Sequence, residues 1–168
     1  MTGFTVRCIH PSPLGDLLLV GVKETPDLVR LLAIHLPDER HPRAPDPTSA
    51  EDPAALQPAR TALDAYFGGD LREFDLPLEP RGTPFQRLVW EEIARIPFGS
   101  TISYGELARR TGRPGAARAV GAAAGANPIP IVVPCHRVVG SGGALTGYAG
   151  GLDRKAWLLD HERRVTSR

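Results

Sequence analysis

The sequence predicts an α+β fold in two parts, a small antiparallel sheet with one helix followed by a mostly helical second half. Three short apolar or alternating runs in the first 36 residues are typical of strands. Apolar residues at helical spacing dominate the chain after Thr83. The chain has 168 residues, enough for two small domains, which we predict at residues 1–80 and 81–168.

The first half is predicted to begin with a β-hairpin. Residues 4–10 and 16–22 are its strands, and residues 11–15 (Pro-Ser-Pro-Leu-Gly) form a longer connecting loop. Residues 28–36 predict a third strand. Nothing in this half has the pattern of a catalytic site, so we interpret it as a support module.

A loop and a helix complete the first half. Six prolines fall within residues 37–58, together with many charges, and they predict a loop because proline interrupts helices and sheets alike. Residues 59–67 predict a helix that ends at the glycine pair Gly68 and Gly69.

The second half opens with a helix start. Thr83 supplies a capping hydroxyl and Pro84 suits the first helical position. Apolar residues then follow at helical spacing as far as Ile96, and residues 97–99 (Pro-Phe-Gly) end the helix.

The next elements predict a helix-turn-helix. Ser103 and Glu106 match a capping box that opens one helix, and residues 113–115 (Arg-Pro-Gly) form a tight turn. Residues 116–124 predict a second helix of small residues with one long cation, Arg118. Such a helix can approach a DNA backbone closely. An ordinary helical hairpin packed through its alanines fits the same pattern, and the choice stays open.

A glycine-rich loop and a last helix end the chain. Residues 140–151 contain six glycines among twelve residues, which shape a pocket with backbone donors or serve as a plain connection. Asp153 is predicted to cap a final helix that runs through Trp157 to Glu162.

Charge is distributed unevenly along the chain. Residues 1–80 carry a net charge of −6 and residues 81–168 a net charge of +7, although the total is only +1. Twelve of the 13 cations in the second half are arginines, the side chain best suited to phosphate contact. The second half is therefore predicted to meet a polyanion.

Composition also indicates the compartment. No apolar run approaches the roughly 20 residues of a membrane span, and the N-terminus lacks a signal-peptide pattern. The two cysteines, Cys8 and Cys135, argue against a disulfide framework. We expect a cytoplasmic protein with no membrane contact.

Cys135 is the strongest candidate for chemistry. Residues 129–133 (Ile-Pro-Ile-Val-Val) lead through Pro134 to Cys135, His136 and Arg137, so we expect a nucleophile at the end of a buried strand. A thiolate at neutral pH needs a base or positive charge nearby, because a free thiol has a pKa of about 8.5. The alternative is a cysteine that serves as a small core hydrophobe.

His136 is the candidate base. Neighbours in a regular strand point to opposite faces, so His136 and Cys135 can cooperate only if the chain turns at Pro134 or a water bridges them. An imidazole base also needs an orienting partner. The candidates for that partner are Glu162, with Asp160 and His161 as competing choices.

The residues around Cys135 resemble a known family. Residues 127–138 (Asn-Pro-Ile-Pro-Ile-Val-Val-Pro-Cys-His-Arg-Val) are similar to the active-site signature of the O6-alkylguanine-DNA alkyltransferases, also called methylated-DNA–protein-cysteine methyltransferases. The similarity covers residues 81–162 and includes residues 102–106, 116–121 and 148–152. Outside this half it weakens to the general layout.

The resemblance implies a role for each matching position. Cys135 would take the alkyl group from guanine O6, with His136 acting as base through a water. Glu162 would orient the imidazole, and Asn127 would brace the turn that carries the cysteine. Because the product thioether cannot be hydrolysed, the protein would act once, without a cofactor.

The resemblance also implies binding to double-stranded DNA through the minor groove, with the damaged nucleotide flipped out. Arg118 would fill the gap in the duplex, and Tyr104 would help rotate the adjacent phosphate. Ala119 and Gly121 would lie on the same DNA-binding helix. We expect a monomer, and cooperative binding along DNA stays open.

The pocket for the flipped base would use three further positions, Val138, Tyr148 and Ala149. The backbone at Val138 would contact the guanine edge, while Tyr148 and Ala149 would face O6. Whether O4-alkylthymine is also a substrate stays open. Residues 81–168 would thus carry DNA binding and alkyl transfer, with residues 1–80 in support.

One departure concerns zinc, which some members hold in the N-terminal half. Cys8 and His10 are the only neighbouring candidates here, and His35 and His41 are distant in sequence. We therefore predict no metal site.

Three other functions fit parts of the sequence. A protein that binds the lesion without removing it would lack the cysteine. A thiol hydrolase built on Cys135, His136 and Glu162 would not need the Arg118 helix. A regulator of the same family would carry extra modules for which this chain is too short.

Overall fold

The structure is a computed structural model that describes residues 3–38 and 46–168. It divides into two compact units, residues 1–80 and residues 81–168. The first unit holds a sheet and a helix and the second is mainly helical, which confirms the predicted α+β class. No helix in the described ranges is both long enough and apolar enough to cross a membrane.

In the described part of the first unit, four strands form one sheet in the order β3-β2-β1-β4. They are β1 (Phe4–His10), β2 (Leu17–Thr25), β3 (Leu28–His35) and β4 (Ala50–Glu51). Both β1 and β3 pair antiparallel with β2, which confirms the hairpin and the third strand. β4 runs parallel to β1 inside the predicted loop. Two residues are too few to give a periodic pattern, so the sequence did not reveal this strand.

Helix α1 (Gln57–Gly68) begins two residues earlier than predicted. Pro58 lies in the first turn of α1. Proline is tolerated there because the first N–H groups of a helix have no partner within the helix. The helix stops where Gly69 adopts the left-handed conformation, with φ of 84°. Leu63 and Tyr66 are fully buried and form the inner face of the helix.

The second unit begins with α2 (Pro84–Ala94). The hydroxyl of Thr83 accepts a hydrogen bond from the N–H of Gln86, and the Gln86 side chain accepts one from the N–H of Thr83. The predicted start is confirmed, and the reciprocal pair satisfies two N–H groups that the helix itself cannot. The buried face of α2 is formed by Val89, Trp90 and Ile93.

Helix α3 (Tyr104–Arg110) has half of the predicted capping box. The Ser103 hydroxyl accepts from the N–H of Glu106 at 3.1 Å. The Glu106 carboxylate instead pairs with Arg109 and Arg110, at 2.7 and 3.1 Å. Two arginines one turn further along the helix thus compete for the carboxylate that the box would use.

Helix α4 (Ala117–Gly125) follows the predicted turn. The N–H of Ala116 donates to the carbonyl of Arg113 at 3.0 Å, and Gly115 has the positive φ, 85°, that this turn requires. α4 contacts both α2 and α3. The indole of Trp90 on α2 donates to the carbonyl of Ala123 at 2.8 Å, which fixes α4 in place.

The last helix, α5 (Leu152–Thr166), starts before the predicted cap. Gly151 is the residue at its N-terminal boundary, with φ of 91°, and Asp153 lies inside the first turn without capping it. The cap prediction was wrong because glycine takes this backbone conformation without strain. A carboxylate in the first turn still interacts favourably with the helix dipole.

Candidate active site

The apolar run before Cys135 forms a turn and not the predicted strand. The N–H of Val133 donates to the carbonyl of Ile129 at 2.9 Å, and Ile131 has a φ of 76°. An isolated bridge between Pro130 and Val133 is the only ladder contact within residues 129–133. Proline has no N–H to donate to a sheet, so a run punctuated by prolines cannot build a regular ladder.

Asn127 closes this turn from both ends. Its Nδ2 donates to the carbonyl of Val133 at 2.8 Å, and its Oδ1 accepts from the N–H of Ile129 at 3.0 Å. A positive φ at a β-branched residue such as Ile131 costs about 1–3 kcal/mol and persists only where the surroundings enforce it. The two Asn127 hydrogen bonds supply that enforcement.

Cys135 begins a short 3-10 turn, Cys135–Arg137. The chain turns at Pro134, whose φ and ψ are −82° and 63°. Such a turn is one of the two alternative arrangements that allow Cys135 and His136 to cooperate. The N–H of Cys135 donates to the carbonyl of Val133 at 2.8 Å. Cys135 as a whole residue is only 8% exposed.

The structure selects Glu162 as the partner of His136. Nε2 of His136 lies 2.8 Å from Oε1 of Glu162, and both side chains are fully buried. The competing candidates are engaged elsewhere. Asp160 pairs at the surface with Arg164 at 3.0 Å, and the ring of His161 stacks on Trp157 with centroids 5.1 Å apart.

Arg137 is a site residue to which sequence reasoning assigned no role. Its guanidinium is buried and donates to both carboxylate oxygens of Glu162, at 2.8 to 3.2 Å, and to the carbonyl of Ile96 at 2.6 Å. The N–H of Gly99 also donates to Oε2 of Glu162 at 3.0 Å. The position of Arg137 next to His136 in the motif was the available signal, but the sequence could not show that the Arg137 side chain turns towards Glu162.

Burial and these hydrogen bonds set the protonation states. Burial raises the pKa of Glu162, but hydrogen bonds from His136 and Arg137 lower it by a larger amount. The pKa of Glu162 therefore lies well below its usual range. Burial lowers the pKa of His136 more than Glu162 raises it. At neutral pH the site thus holds an ionised carboxylate and a neutral imidazole.

The remaining nitrogen of His136 is available as a base. Because ionised Glu162 can only accept, Nε2 carries the proton and Nδ1 carries the lone pair. Within the described residues, Nδ1 is buried and has no hydrogen-bond partner. Burial also raises the pKa of Cys135, against the opposing effects of Asn127 and Lys155, so the resting group is a thiol whose proton must be removed.

Two of the predicted pocket residues are enclosed. Val138 is fully buried at the start of β6 (Val138–Val139), which pairs in parallel with β5 (Ile102–Ser103). The Tyr148 hydroxyl is buried and lacks a partner among the described residues. Burial raises the pKa of Tyr148 well above its ordinary value, so the hydroxyl stays protonated and can donate. Ala149 is exposed.

The predicted DNA-contact residues fall into two groups. Arg118 and Ala119 are exposed near the start of α4. Gly121 is half-buried, and a Cβ added there would lie 3.7 Å from the ring of Tyr104. The Tyr104 hydroxyl donates to the carbonyl of Thr146 at 3.0 Å, a contact with the glycine-rich loop that the sequence did not indicate.

The residues considered for zinc do not assemble in the described chain. Cys8 and His10 lie two residues apart on β1 and both are buried. Within residues 3–38 and 46–168, no group of three or more His, Cys, Asp or Glu side chains could hold a metal ion. The other candidates were His35, on β3, and His41, which lies outside the described residues.

Comparison with known proteins identifies the family. The model for the DNA binding domain of 6-O-methylguanine DNA methyltransferase matches residues 84–164, and the model for its ribonuclease-like domain matches residues 7–80. A methylated-DNA–protein-cysteine methyltransferase of Mycolicibacterium paratuberculosis is 53% identical over 154 residues, which cover 91% of this chain and 89% of that protein. The chain belongs to this family.

Solved methyltransferase structures share the fold. The crystal structure of Mycobacterium tuberculosis O6-methylguanine methyltransferase is 45% identical with a TM-score of 0.85, covering 96% of this chain and 94% of that one. The Mycobacterium tuberculosis protein OGT in complex with DNA is 43% identical with a TM-score of 0.83, again covering 96% and 94%. A methyltransferase from Shigella flexneri is 54% identical over 136 residues, 80% of this chain and 75% of that protein.

Proposed function

We propose that this methyltransferase repairs DNA by moving an alkyl group from guanine O6 to its own Cys135 in a single irreversible step. Direct-reversal repair by transfer to a cysteine is the activity of the family to which the chain belongs. One observation carries the choice of Cys135. It is a buried thiol adjacent in sequence to a neutral histidine whose Nε2 is held by Glu162 and whose Nδ1 has no partner in the described chain.

The transfer is a displacement at the alkyl carbon. His136 removes the thiol proton through one bridging water, and the thiolate sulfur attacks the alkyl carbon. The sulfur–carbon bond forms while the carbon–O6 bond breaks, and the electron pair of the broken bond stays on O6 of the guanine. The guanine takes up one proton, which balances the proton lost by the thiol.

The pocket residues act on the leaving base. The Tyr148 hydroxyl, which stays protonated, donates towards O6 as negative charge develops there, while backbone groups at Val138 contact the guanine edge and Ala149 lies beside O6. The steps use side-chain and backbone groups of this protein, one water molecule and the substrate. No cofactor is needed.

DNA binding is assigned to α3 and α4 as a helix-turn-helix in the minor groove of double-stranded DNA. A relative with a TM-score of 0.83 was solved in complex with DNA. A stacked guanine cannot present its O6-alkyl group in line with a buried thiol, so the nucleotide must be flipped out. Arg118 is the long exposed cation among small residues of α4 and fills the gap left behind. Tyr104, Ala119 and Gly121 lie on the same helix pair.

The protein is consumed by its reaction. A thioether is stable to hydrolysis, and Cys8, the second cysteine, lies in the other unit on β1. Residues 81–168 hold every residue assigned to transfer and DNA contact, and residues 1–80 serve as support. The protein acts as a monomer.

A mass measurement tests the proposal. The full chain is incubated with a duplex containing one O6-methylguanine, and the mass of each cysteine peptide is determined. We expect one methyl group on the Cys135 peptide, none on the Cys8 peptide, and one lesion repaired per protein molecule. Cys135→Ser should repair nothing, while Cys8→Ser should repair normally. A lesion that persists beside an unmodified Cys135 would disprove transfer and favour a protein that only binds the lesion.

The same assay separates a thiol hydrolase. Such an enzyme would use Cys135, His136 and Glu162 repeatedly and would leave the cysteine unmodified at the end. More than one lesion repaired per molecule would support that function against ours.

A further inference from the structure

We propose that Lys155 is a positioning residue for alkyl transfer, because its buried ammonium joins Thr146 and Gly147, which come just before Tyr148 in the glycine-rich loop, to the strand that follows Cys135. These hydrogen bonds, called the tie below, fix the distance between the two segments that line the proposed base pocket, one at Val138 and one at Thr146 and Gly147. The inference deepens the proposed function and rests on it.

The hydrogen bonds of Lys155 define the tie. Nζ lies 2.6 Å from the carbonyl oxygen of Val138 at the start of β6, 2.9 Å from that of Thr146 and 3.3 Å from that of Gly147. Lys155 is fully buried, although it belongs to α5. One side chain thus joins three elements of the second unit.

The choice of lysine at this position is chemically specific. Lys155 is the single lysine among the 13 cations of residues 81–168. An ammonium is a compact charge with three donors and can meet three carbonyls that converge on one point. A guanidinium is planar and larger, so arginine cannot reproduce this arrangement. The chain departs from its preference for arginine where the geometry demands a compact donor.

Tyr104 supports the same loop from a second side. Its hydroxyl donates to the carbonyl of Thr146 at 3.0 Å, and Nζ of Lys155 lies 5.7 Å from the centre of its ring. Burial lowers the pKa of Lys155, and Cys135 acts in the opposite direction once its thiol has lost the proton. Three carbonyl acceptors favour the charged form, because only an ammonium offers a donor to each.

The two segments joined by Lys155 carry the reacting groups. Gly147 directly precedes Tyr148, and Val138 follows the turn that bears Cys135 and His136. A displacement of about 1 Å between reacting groups can slow a reaction by about 100-fold. Release of this tie would therefore slow transfer without altering the exposed surface of α4.

The test compares the full-length wild type with Lys155→Met and Lys155→Arg. Lys23→Met is the matched control, since Lys23 is the other lysine, pairs with Asp52 and lies in the first unit. Single-turnover transfer is followed with a duplex containing O6-methylguanine over a range of protein concentrations. The end point counts active molecules, so the maximal rate is obtained per active molecule. Affinity for an unmodified duplex and the thermal unfolding midpoint are measured in parallel.

We expect the maximal rate per active molecule of Lys155→Met to fall about 100-fold, with affinity for unmodified duplex within twofold of the wild type. Reaction with free O6-methylguanine base should fall by a similar factor, because the defect lies in the pocket. Lys155→Arg should also be slow, and Lys23→Met should match the wild type.

Three results would overturn the inference. The first is an unchanged rate per active molecule in Lys155→Met, including the case in which only the end point or the unfolding midpoint falls. The second is full activity in Lys155→Arg. The third is a rate loss fully explained by weaker binding to unmodified duplex. Failure of the proposed function is distinct, because then the wild type itself would leave Cys135 unmethylated.

Discussion

The surroundings of Cys135 favour the thiol, so reactivity depends on the neighbouring residues. Burial raises the pKa of Cys135 and lowers that of His136, which leaves the proposed nucleophile protonated and the proposed base unprotonated. Glu162 directs the lone pair of His136 by accepting from Nε2. Arg137 in turn holds Glu162 in its ionised form. Arg137 thus sets the ionisation of Glu162, and Glu162 sets which nitrogen of His136 carries the proton.

Replacement of Arg137 by alanine should destabilise the protein by about 3–5 kcal/mol, because it leaves the carboxylate of Glu162 buried without its main cation. The free energy of unfolding from urea titration measures this change. Arg164→Ala is the matched control, since it removes an exposed pair with Asp160 and should cost less than about 0.5 kcal/mol. Equal losses in the two variants would contradict the assigned role of Arg137.

Stability should fall as the pH is lowered, and His136 should contribute first. Its folded pKa lies below the unfolded value of about 6.5, so the unfolded state binds the proton more readily and stability is lost as the pH falls below about 6.5. Glu162, whose folded pKa is also depressed, adds a loss only below about pH 4.3. Between pH 7.5 and 5.5 the loss due to His136 has an upper bound of about 1.4 kcal/mol, which applies when only the unfolded state takes up the proton.

His136→Gln isolates this contribution. The variant cannot titrate at this position, so its unfolding free energy should change less than that of the wild type between pH 7.5 and 5.5. Urea titrations at the two values provide the comparison. An identical pH dependence in both proteins would show that His136 does not titrate as described.

At the scale of elements, a turn carries Cys135, the proposed alkyl acceptor, and helix α4 carries Arg118, the side chain proposed to enter DNA. The turn before Cys135 depends on Asn127, whose side chain spans residues 129–133, and the prolines prevent the same run from forming a strand. The indole of Trp90 on α2 donates to the carbonyl of Ala123 on α4, while Arg118 near the start of α4 stays exposed. Packing and exposure of α4 are therefore compatible, and the two interpretations of its small residues are not exclusive.

Arg118→Ala should weaken repair of duplex DNA about tenfold or more while reaction with free O6-methylguanine base changes little. The reason is that nucleotide flipping costs a few kcal/mol, which an inserted side chain offsets only in a duplex. Single-turnover rates with both substrates give the comparison. Arg95→Ala on α2, which removes an exposed cation paired with Glu92, is the control. An equal loss with both substrates would exclude the gap-filling role.

At the scale of the whole molecule, charge is divided between the two units. Residues 81–168 carry a net charge of +7 and hold the exposed cations near α3 and α4, whereas residues 1–80 carry −6. Contacts to phosphate depend on the release of counterions and thus on salt concentration. The second unit therefore has the charge that DNA binding requires, and the near-neutral total conceals it.

The affinity for unmodified duplex should fall steeply with salt, with a logarithmic slope near −4 if about four or five phosphates are contacted. Fluorescence anisotropy at 50 to 200 mM NaCl measures this slope. Arg113→Ala, which removes an exposed cation at the α3–α4 turn, should reduce the slope by about one. A slope near zero would contradict phosphate contact as the source of affinity.

The sequence by itself determined most of the helices and strands and pointed to Cys135 as the proposed nucleophile. Helical spacing, the Thr83 cap and the glycine at each turn act between residues a few positions apart, so they can be recognised without a structure. The Cys135 motif carried the family resemblance in the same local way. Two predictions from local signals were wrong, the helix cap at Asp153 and the strand at residues 129–133. In both places the backbone adopts a conformation that the local pattern does not show.

Only the tertiary structure decided which side chains meet. Glu162 lies 26 residues after His136, and residue type alone left three neighbouring candidates on α5 open. The family resemblance implied Glu162, and the packing of α5 brings this carboxylate to 2.8 Å from His136. The direction of Arg137 and the three carbonyls around Lys155 were hidden for the same reason. Such contacts join residues distant in the chain, and their geometry depends on how whole elements pack rather than on any local pattern.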